Sequence, residues 1–205
     1  VHIHGADYVV MESTYGDRNH TEVWSYTDDL AAIIDKTIAR GGNVIIPSFA
    51  VGRTQELLYF IREIKDAGLV KSNPDFPVYI DSPLAKKATT IFTGNLHGYL
   101  DEDALELVRD GTHMFNFTNL RMTETGEESK ALNEEPTPKV IISASGMCDA
   151  GRIRHHLKHN LWRPECTVAF VGFQGEGTLG RPLPEGAKIV QLFGQETAVR
   201  AKTVN

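Results

Sequence analysis

The sequence predicts an α/β domain with a mostly parallel sheet that has helices on both faces. Two observations indicate this fold: several short segments are continuous apolar runs, and segments with apolar residues at helical spacing separate them. A strand that is buried on both faces gives such a run, because its alternating side chains all contact helices. A chain of 205 residues is long enough to bury a core of this kind.

The predicted elements alternate along the first part of the chain. A buried strand at 6–11 leads into a polar turn at 12–16. Apolar residues at helical spacing then predict a helix over 27–40, which two glycines end. A short strand over 43–48 and a helix over 54–67 follow.

The same alternation continues in the second part. A strand at 77–81 precedes a helix that begins at Pro83, a residue suited to the first turn of a helix, and ends near Phe92. A further helix is expected around 101–109. The polar, acidic stretch 123–138 predicts a short helix and an exposed connection, and we assign it no chemistry.

Two more buried strands, 139–143 and 167–172, flank a helix expected over 150–159. Beyond Gly180 the pattern changes to short alternating segments, which predict a return into a different, antiparallel sheet. We therefore expect a boundary near Arg181.

Composition limits the possible functions. The net charge of −6 argues against nucleic-acid binding through overall charge, and no apolar run approaches the length of a membrane helix. Cys148 and Cys166 form no disulfide or zinc pattern, so a reducing cytoplasm fits best. The chain begins with Val rather than Met, which favours a piece of a longer protein.

Polar turns follow the predicted strands, and parallel strands bring such turns to one edge of a sheet. Glycine lets the backbone approach a ligand, and the N-terminus of a following helix favours an anion such as phosphate. Arg53 stands at such a helix start and could bind phosphate oxygens, although an ion pair with Glu56 is an equal alternative. The four turns are 12–16, 48–53, 81–84 and 143–147.

The segment 151–163 is a local positive patch without an acidic residue. Helical spacing predicts that its members at 152, 155, 156 and 159 share one face, which would suit a phosphate backbone. The alternative is a solvated helix face. A metal site formed by its three histidines is less favoured, because no carboxylate lies among them.

Five motifs together closely resemble the β-CASP nucleases of the metallo-β-lactamase superfamily, and the match covers nearly the whole chain. The resemblance implies a flank of the metallo-β-lactamase domain with the motif-A strand at 1–18, a β-CASP domain at 19–181, and return strands toward the metallo-β-lactamase domain at 182–205. The motifs are ESTYGDR at 12–18, PSFAVGRTQELL at 47–58, DSPLA at 81–85, SASGMCDAGRIRHHL at 143–157 and VGFQGEGTLGR at 171–181.

The resemblance implies a zinc-dependent ribonuclease that hydrolyses RNA phosphodiester bonds, with this chain forming the RNA-binding wall of the active-site cleft. The family's zinc ligands match no residue here, so zinc would be bound outside this chain, and the isolated chain should be inactive. The implied partners are RNA and the missing metallo-β-lactamase domain, with a possible homodimer of the parent protein and no membrane.

By the same resemblance, Glu12 is the motif-A acid, which would hydrogen-bond a histidine located after Asn205 rather than bind zinc. The expected RNA-phosphate ligands are Arg53, Ser143, Ser145, Gly146 and Arg152, and weaker candidates are Ser82, Lys86 and His155. Two other functions stay open: a non-catalytic module that binds RNA or protein, and a nucleotide-binding α/β domain. The sequence does not decide whether the nucleic acid is RNA or DNA, or whether cleavage is endonucleolytic or exonucleolytic.

Overall fold

The computed structural model describes residues 5–17, 19, 26–94, 105, 109 and 113–205. Within those residues the chain forms five helices and eight strands. The helices are α1 (Tyr26–Ala39), α2 (Arg53–Asp66), α3 (Pro83–Gly94), α4 (Gly126–Glu134) and α5 (Ile153–Asn160). The strands are β1 (Val44–Pro47), β2 (Val78–Asp81), β3 (Leu120–Met122), β4 (Val140–Ser143), β5 (Thr167–Ala169), β6 (Ile189–Leu192), β7 (Gln195–Ala198) and β8 (Lys202–Val204).

Six strands form one sheet in the order β3-β2-β4-β1-β5-β8, and every pair in it is parallel. The strands β6 and β7 form a separate antiparallel pair. The central strand β4 aligns Val140 with Val44 on one side and with Val78 on the other. The α/β fold class predicted from the sequence is confirmed.

The central strands are apolar throughout because both faces of the sheet are covered. In β1, Val44 and Ile46 pack into the core formed with α1 and α2, whereas Ile45 packs into the core on the other face with α5. All four residues of β1, β2 and β4 are buried. This explains why these segments show continuous apolar runs instead of alternation.

The helix α1 shows how the amphipathic pattern positions an element. Leu30, Ile34 and Ile38 are buried on one side, where α1 packs against α2. Asp28 and Asp29 lie in its first turn, where negative charge interacts favourably with the helix dipole. Within the described residues no helix is both long and apolar enough to cross a membrane.

Three expectations need correction or comment. The strand expected at 6–11 is not formed, and Tyr8, Val9 and Val10 are exposed, because no described strand pairs with this segment. Most of the helix expected around 101–109 lies outside the described residues. The short strand β3 was not predicted, since its three residues at a sheet edge are exposed or half-exposed and carry little apolar pattern.

The segment 182–205 follows the prediction only in part. The antiparallel pair β6–β7 is formed as expected, but β8 joins the main sheet and pairs parallel with β5. The free side of β5 offers backbone hydrogen-bonding groups to an added strand. The sequence of a three-residue segment does not show whether it will pair parallel or antiparallel. The parallel pairing of β8 therefore depends on the position of β5 in the fold.

Lys139 is a buried lysine that closes the C-terminal end of α4. Its Nζ donates hydrogen bonds to Leu132 O at 3.3 Å and Glu135 O at 2.5 Å, and lies 2.9 Å from Glu135 Oε2. Burial lowers the pKa of Lys139, and the hydrogen bond with Glu135 opposes that effect. The ammonium group therefore provides a donor for two carbonyls at the C-terminal end of α4, where helix carbonyls lack intrahelical partners.

We expect Lys139→Met to lower the free energy of unfolding by about 1–3 kcal/mol, because buried carbonyl groups lose their donor while the apolar stem is retained. Urea denaturation measures this loss. Lys130→Met on the exposed side of α4 is the matched control, with an expected change within about 0.5 kcal/mol. Equal effects of the two changes would contradict the role of Lys139.

Candidate nucleic-acid interface

A cavity of about 280 Å³ lies where the carboxyl ends of β1, β4 and β5 meet. Parallel strands bring their following turns to one edge. Of the four turns expected there, 12–16, 48–53 and 143–147 border this cavity and 81–84 does not, whereas the turn after β5 was not predicted to take part. The segment 14–15, near the beginning of the chain, also borders the cavity. The lining residues are Thr14, Tyr15, Pro47, Ser48, Phe49, Arg53, Gly146, Met147, Val171, Gly172, Phe173 and Gln174.

The turn after β1 is held by short-range hydrogen bonds. Ser48 Oγ and Thr54 Oγ1 lie 3.0 Å apart, and Thr54 Oγ1 donates to Phe49 O at 2.7 Å. Gly52 has a φ of 82°, a left-handed conformation that glycine adopts at low cost, and its N–H donates to Gln55 Oε1. These contacts leave the Phe49 ring half exposed at the cavity rim.

The turn after β4 approaches that ring closely. A Cβ atom at Gly146 would lie 2.9 Å from the Phe49 ring, so only glycine fits here without a shift. The amide of Gln174 donates to Gly146 O at 3.0 Å and thereby joins this turn to the one after β5. The cavity wall is thus backbone and aromatic surface fixed by glycine and by buried hydrogen bonds.

Arg53 lies in the first turn of α2 at the cavity and is paired with Glu56. The Arg53 Nη1 to Glu56 Oε2 distance is 2.5 Å, and both side chains are about two-fifths exposed, at 41% and 44%. The predicted alternative partner is therefore present. Because an exposed pair of this kind contributes at most about 1 kcal/mol, a phosphate group could replace the carboxylate at small cost.

Glu12 lies on an exposed segment, where its Oε2 accepts a hydrogen bond from Thr14 N at 2.9 Å. It borders a second cavity of about 470 Å³, which shares Thr14, Tyr15 and Phe173 with the first one. The rings of Tyr15 and Phe173 are in edge contact with centroids 6.0 Å apart. The structure thus places Glu12 beside the cavity that Arg53 borders.

Beneath this edge, Asp81 at the end of β2 is the centre of a buried hydrogen-bond network. Its Oδ2 lies 2.5 Å from His156 Nε2 and accepts a hydrogen bond from Ser129 Oγ at 2.5 Å. Its Oδ1 accepts from Arg152 Nη1 at 2.7 Å and also binds the hydroxyl group of Thr123. The Asp81 and His156 side chains are fully inaccessible to solvent.

Two opposing effects act on the Asp81 carboxyl. Burial by itself would raise its pKa, but hydrogen bonds from His156, Ser129 and Thr123 outweigh burial and hold the pKa well below its ordinary value. The carboxylate is therefore ionised at neutral pH and offers a buried negative charge to Arg152 and His156.

The positive face expected on the helix after β4 is not continuous. His156 is fully buried against Asp81 and Asn133, whereas His155 and His159 are exposed, because adjacent helix positions point to different sides. Arg152 binds Asp81 and also donates to Glu124 O at 2.8 Å. Its proposed contact with RNA phosphate stays a prediction.

The remaining predicted residues differ in their surroundings. Ser143 is buried and donates to Asp81 O at 3.0 Å, and Ser145 Oγ accepts from Ala150 N at 3.4 Å. Ser82 Oγ accepts from Ala85 N at the start of α3, and Lys86 forms an ion pair with Glu124. Of all predicted ligands, only Arg53 and Gly146 line the cavity near Glu12.

Several residues of this region were not predicted from the sequence. The stretch 123–138 was assigned no chemistry, yet Thr123, Ser129 and Asn133 belong to the Asp81 network. An aspartate that ends the apolar strand VYID, with all four residues buried, is the one local signal for that network. Phe173 and Gln174 could have been found as the residues directly after the β5 region, at the same edge.

The structure shows an α/β domain with a cavity at the carboxyl edge of its parallel sheet. A family model described as the Beta-Casp domain matches residues 54–183. The chain therefore belongs to the Beta-Casp domain family, and the resemblance inferred from the sequence is confirmed.

The relatives found by sequence comparison are longer proteins. Ribonuclease TTHA0252 of Thermus thermophilus is 38% identical over 196 residues, which are 96% of this chain and 44% of that protein. The RNase J-like protein of Methanocaldococcus jannaschii is 34% identical over 200 residues, 97% of this chain and 44% of that protein. Transcription termination factor FttA of Methanosarcina mazei is 31% identical over 200 residues, covering 96% and 31%. The chain thus spans less than half the length of these relatives.

Proposed function

We propose that this chain is the β-CASP part of a zinc-dependent ribonuclease and forms the RNA-binding wall of its active-site cleft. The observation that carries the proposal is the cavity at the sheet edge, which is lined by both the cationic Arg53 and the half-exposed Phe49. Two relatives that match 96–97% of this chain are named as a ribonuclease and as an RNase J-like protein.

The chemistry of the cavity supports an RNA ligand. A guanidinium group binds phosphate oxygens through paired hydrogen bonds, and an aromatic ring stacks on a nucleobase. Arg53 and the rings of Phe49 and Phe173 offer these two contacts within one cavity. The buried Gly146 lets the backbone come close to a bound group.

The proposed zinc dependence requires side chains that can bind the metal ion. Among the residues that the structure describes, no group of three or more His, Cys, Asp or Glu side chains could hold a metal ion. The described part of the chain therefore does not fit zinc. We propose that residues outside this chain bind it, and that the isolated chain does not hydrolyse RNA.

Glu12 fits the proposed role of a carboxylate that orients a histidine of the missing domain. It is exposed, and it borders the larger cavity next to the Arg53 site. A carboxylate that accepts a hydrogen bond from an imidazole fixes the ring orientation and favours its protonated form.

RNA binding should depend on Arg53. We expect Arg53→Ala to weaken the binding of a single-stranded oligonucleotide and to reduce the slope of log affinity against log salt by about 0.7, the loss of one phosphate contact. Fluorescence anisotropy at several salt concentrations measures the slope. Lys36→Ala, which removes one exposed charge from α1, is the matched control and should leave the slope unchanged.

An unchanged slope for Arg53→Ala would remove Arg53 from the RNA site. Tighter binding of mononucleotides than of oligonucleotides would favour the alternative of a nucleotide-binding domain. Zinc-dependent RNA hydrolysis by the purified chain, absent from a mock purification without it, would contradict our proposal that the zinc ligands lie outside.

A further inference from the structure

A second cluster of aromatic and cationic side chains lies away from the cavity, on the outer surface of α5. The ring of Phe193 lies 4.5 Å from Arg154 Cζ, 4.7 Å from the His155 ring and 5.7 Å from Lys158 Nζ. We call these four residues the Phe193 patch. Phe193 keeps 42% of its surface exposed, so the cations do not cover the ring.

The fold brings these residues together from distant parts of the chain. The inward residues of α5, Ile153 and Leu157, share a core with Val190 and Leu192 of β6. This packing seats the β6–β7 pair against α5, and the turn that joins the two strands carries Phe193. The ring therefore rests on the outward side chains of α5.

The electrostatic surroundings of the patch are positive. Burial, and then the electrostatic effects of His156, Arg154, Lys158 and Lys130, lower the pKa of His155. In the described part of the chain Arg154 and Lys158 form no ion pair, and Arg154 Nε is buried without a hydrogen-bond partner. The patch thus carries positive charge that the described carboxylates do not neutralise.

Phe193 is also an unusual residue for its backbone conformation. The two residues that join β6 to β7, Phe193 and Gly194, have φ angles of 51° and 74°. Two-residue turns with both φ angles positive favour Asn or Asp followed by Gly, because a bulky side chain is strained at positive φ. An aromatic residue held in such a position suggests a role beyond turn formation.

We propose that the Phe193 patch is a second binding surface for single-stranded RNA, on which a base stacks against Phe193 while Arg154 and Lys158 contact the adjacent phosphates. The inference rests on the proposed RNA-binding function but concerns a different surface from the cavity. A ring bordered by cations is the combination that binds single strands without reading their sequence. An acidic protein could bind the cationic side chains, but the exposed ring would contribute less to its affinity.

The test uses a fluorescently labelled oligouridylate of about ten nucleotides, within the length that such surfaces cover. Phe193→Asn is the main variant, because asparagine tolerates positive φ and preserves the turn while removing the ring. We expect its affinity for the oligonucleotide to fall by roughly fivefold to a hundredfold. Its thermal unfolding midpoint should not fall below that of the unchanged chain.

Charge variants test whether the cationic side chains of the Phe193 patch contribute to RNA binding. Lys158→Ala should weaken binding and reduce the salt slope, whereas Lys36→Ala on α1, which packs on the other face of the sheet, should do neither. An oligoglutamate of equal length is the competitor. It should displace RNA poorly if base stacking contributes to binding.

The outcomes separate this inference from the proposed function. Wild-type affinity of Phe193→Asn, together with weakened binding of Arg53→Ala, would overturn the patch and leave the cavity proposal standing. Equal competition by oligoglutamate would also overturn the patch, in favour of an acidic protein partner. The absence of any RNA binding by the unchanged chain would overturn both.

Discussion

Replacing Asp81 with alanine is expected to lower the free energy of unfolding by about 3–5 kcal/mol, because the change leaves a buried charge network without its centre. His156 loses its carboxylate partner in a position that water does not reach, and Arg152 loses its contact with Oδ1. The hydroxyl groups of Ser129 and Thr123 lose an acceptor at the same time. Urea denaturation followed by circular dichroism measures the loss.

Asp28→Ala is the matched control for this change. Asp28 is exposed in the first turn of α1, where its interaction with the helix dipole contributes only about 0.3–1 kcal/mol. A loss for Asp81→Ala no greater than that of Asp28→Ala would show that the network does not stabilise the fold.

The depressed pKa of Asp81 gives the same prediction a pH dependence. Since its pKa is lower in the folded than in the unfolded state, its contribution is complete above the ordinary aspartate pKa, about 4. The contribution is lost as the pH falls below that value towards the folded pKa. The difference in stability between the unchanged chain and Asp81→Asn should therefore shrink on acidification from about pH 6 to pH 3.

Gly151→Ala is the second change with a large expected effect. Gly151 has a φ of 80°, and a Cβ atom there would lie 2.4 Å from Ala144 O. That oxygen cannot easily move away, because it accepts a hydrogen bond from Ile153 N. The variant should lose about 1–2 kcal/mol through left-handed backbone strain and about 1–3 kcal/mol more through the clash.

Gly177→Ala is the control that shows the effect of backbone strain without a clash. Gly177 has almost the same φ, 78°, but a Cβ atom there would meet nothing within 4 Å. It should therefore lose only the strain contribution. Gly151→Ala should in addition weaken RNA binding, since it displaces the turn that carries Gly146 at the cavity. Equal stability losses in urea for both variants would rule out the clash.

Much of the architecture could be predicted because it follows from local patterns. Apolar runs such as NVIIPS and helical spacing over 27–40 report which faces of an element are buried, and the structure has α1, α2, β1, β2 and β4 at the predicted positions. The segment 6–11 has an equally apolar run, but a strand also needs a paired neighbour. Periodicity cannot show whether such a neighbour is present.

The candidate site, too, could be predicted from the sequence only in part. Arg53 and Gly146 could be found from the sequence, because each lies in a turn directly after an apolar strand and all such turns meet at one edge. The Asp81 network could not, since its partners His156 and Arg152 are 75 and 71 residues away along the chain. Their meeting depends on β2 and β4 being neighbours, which no local pattern encodes.

The sequence by itself determined the class of fold, the edge of the sheet that carries the candidate site, and the family of the chain. Only the tertiary structure decided which basic residues face solvent: His155 is exposed beside Phe193, and the adjacent His156 is buried against Asp81. The physical reason is that helical periodicity gives relative directions around an axis. The packing of α5 between the sheet and the β6–β7 pair fixes which direction is inward.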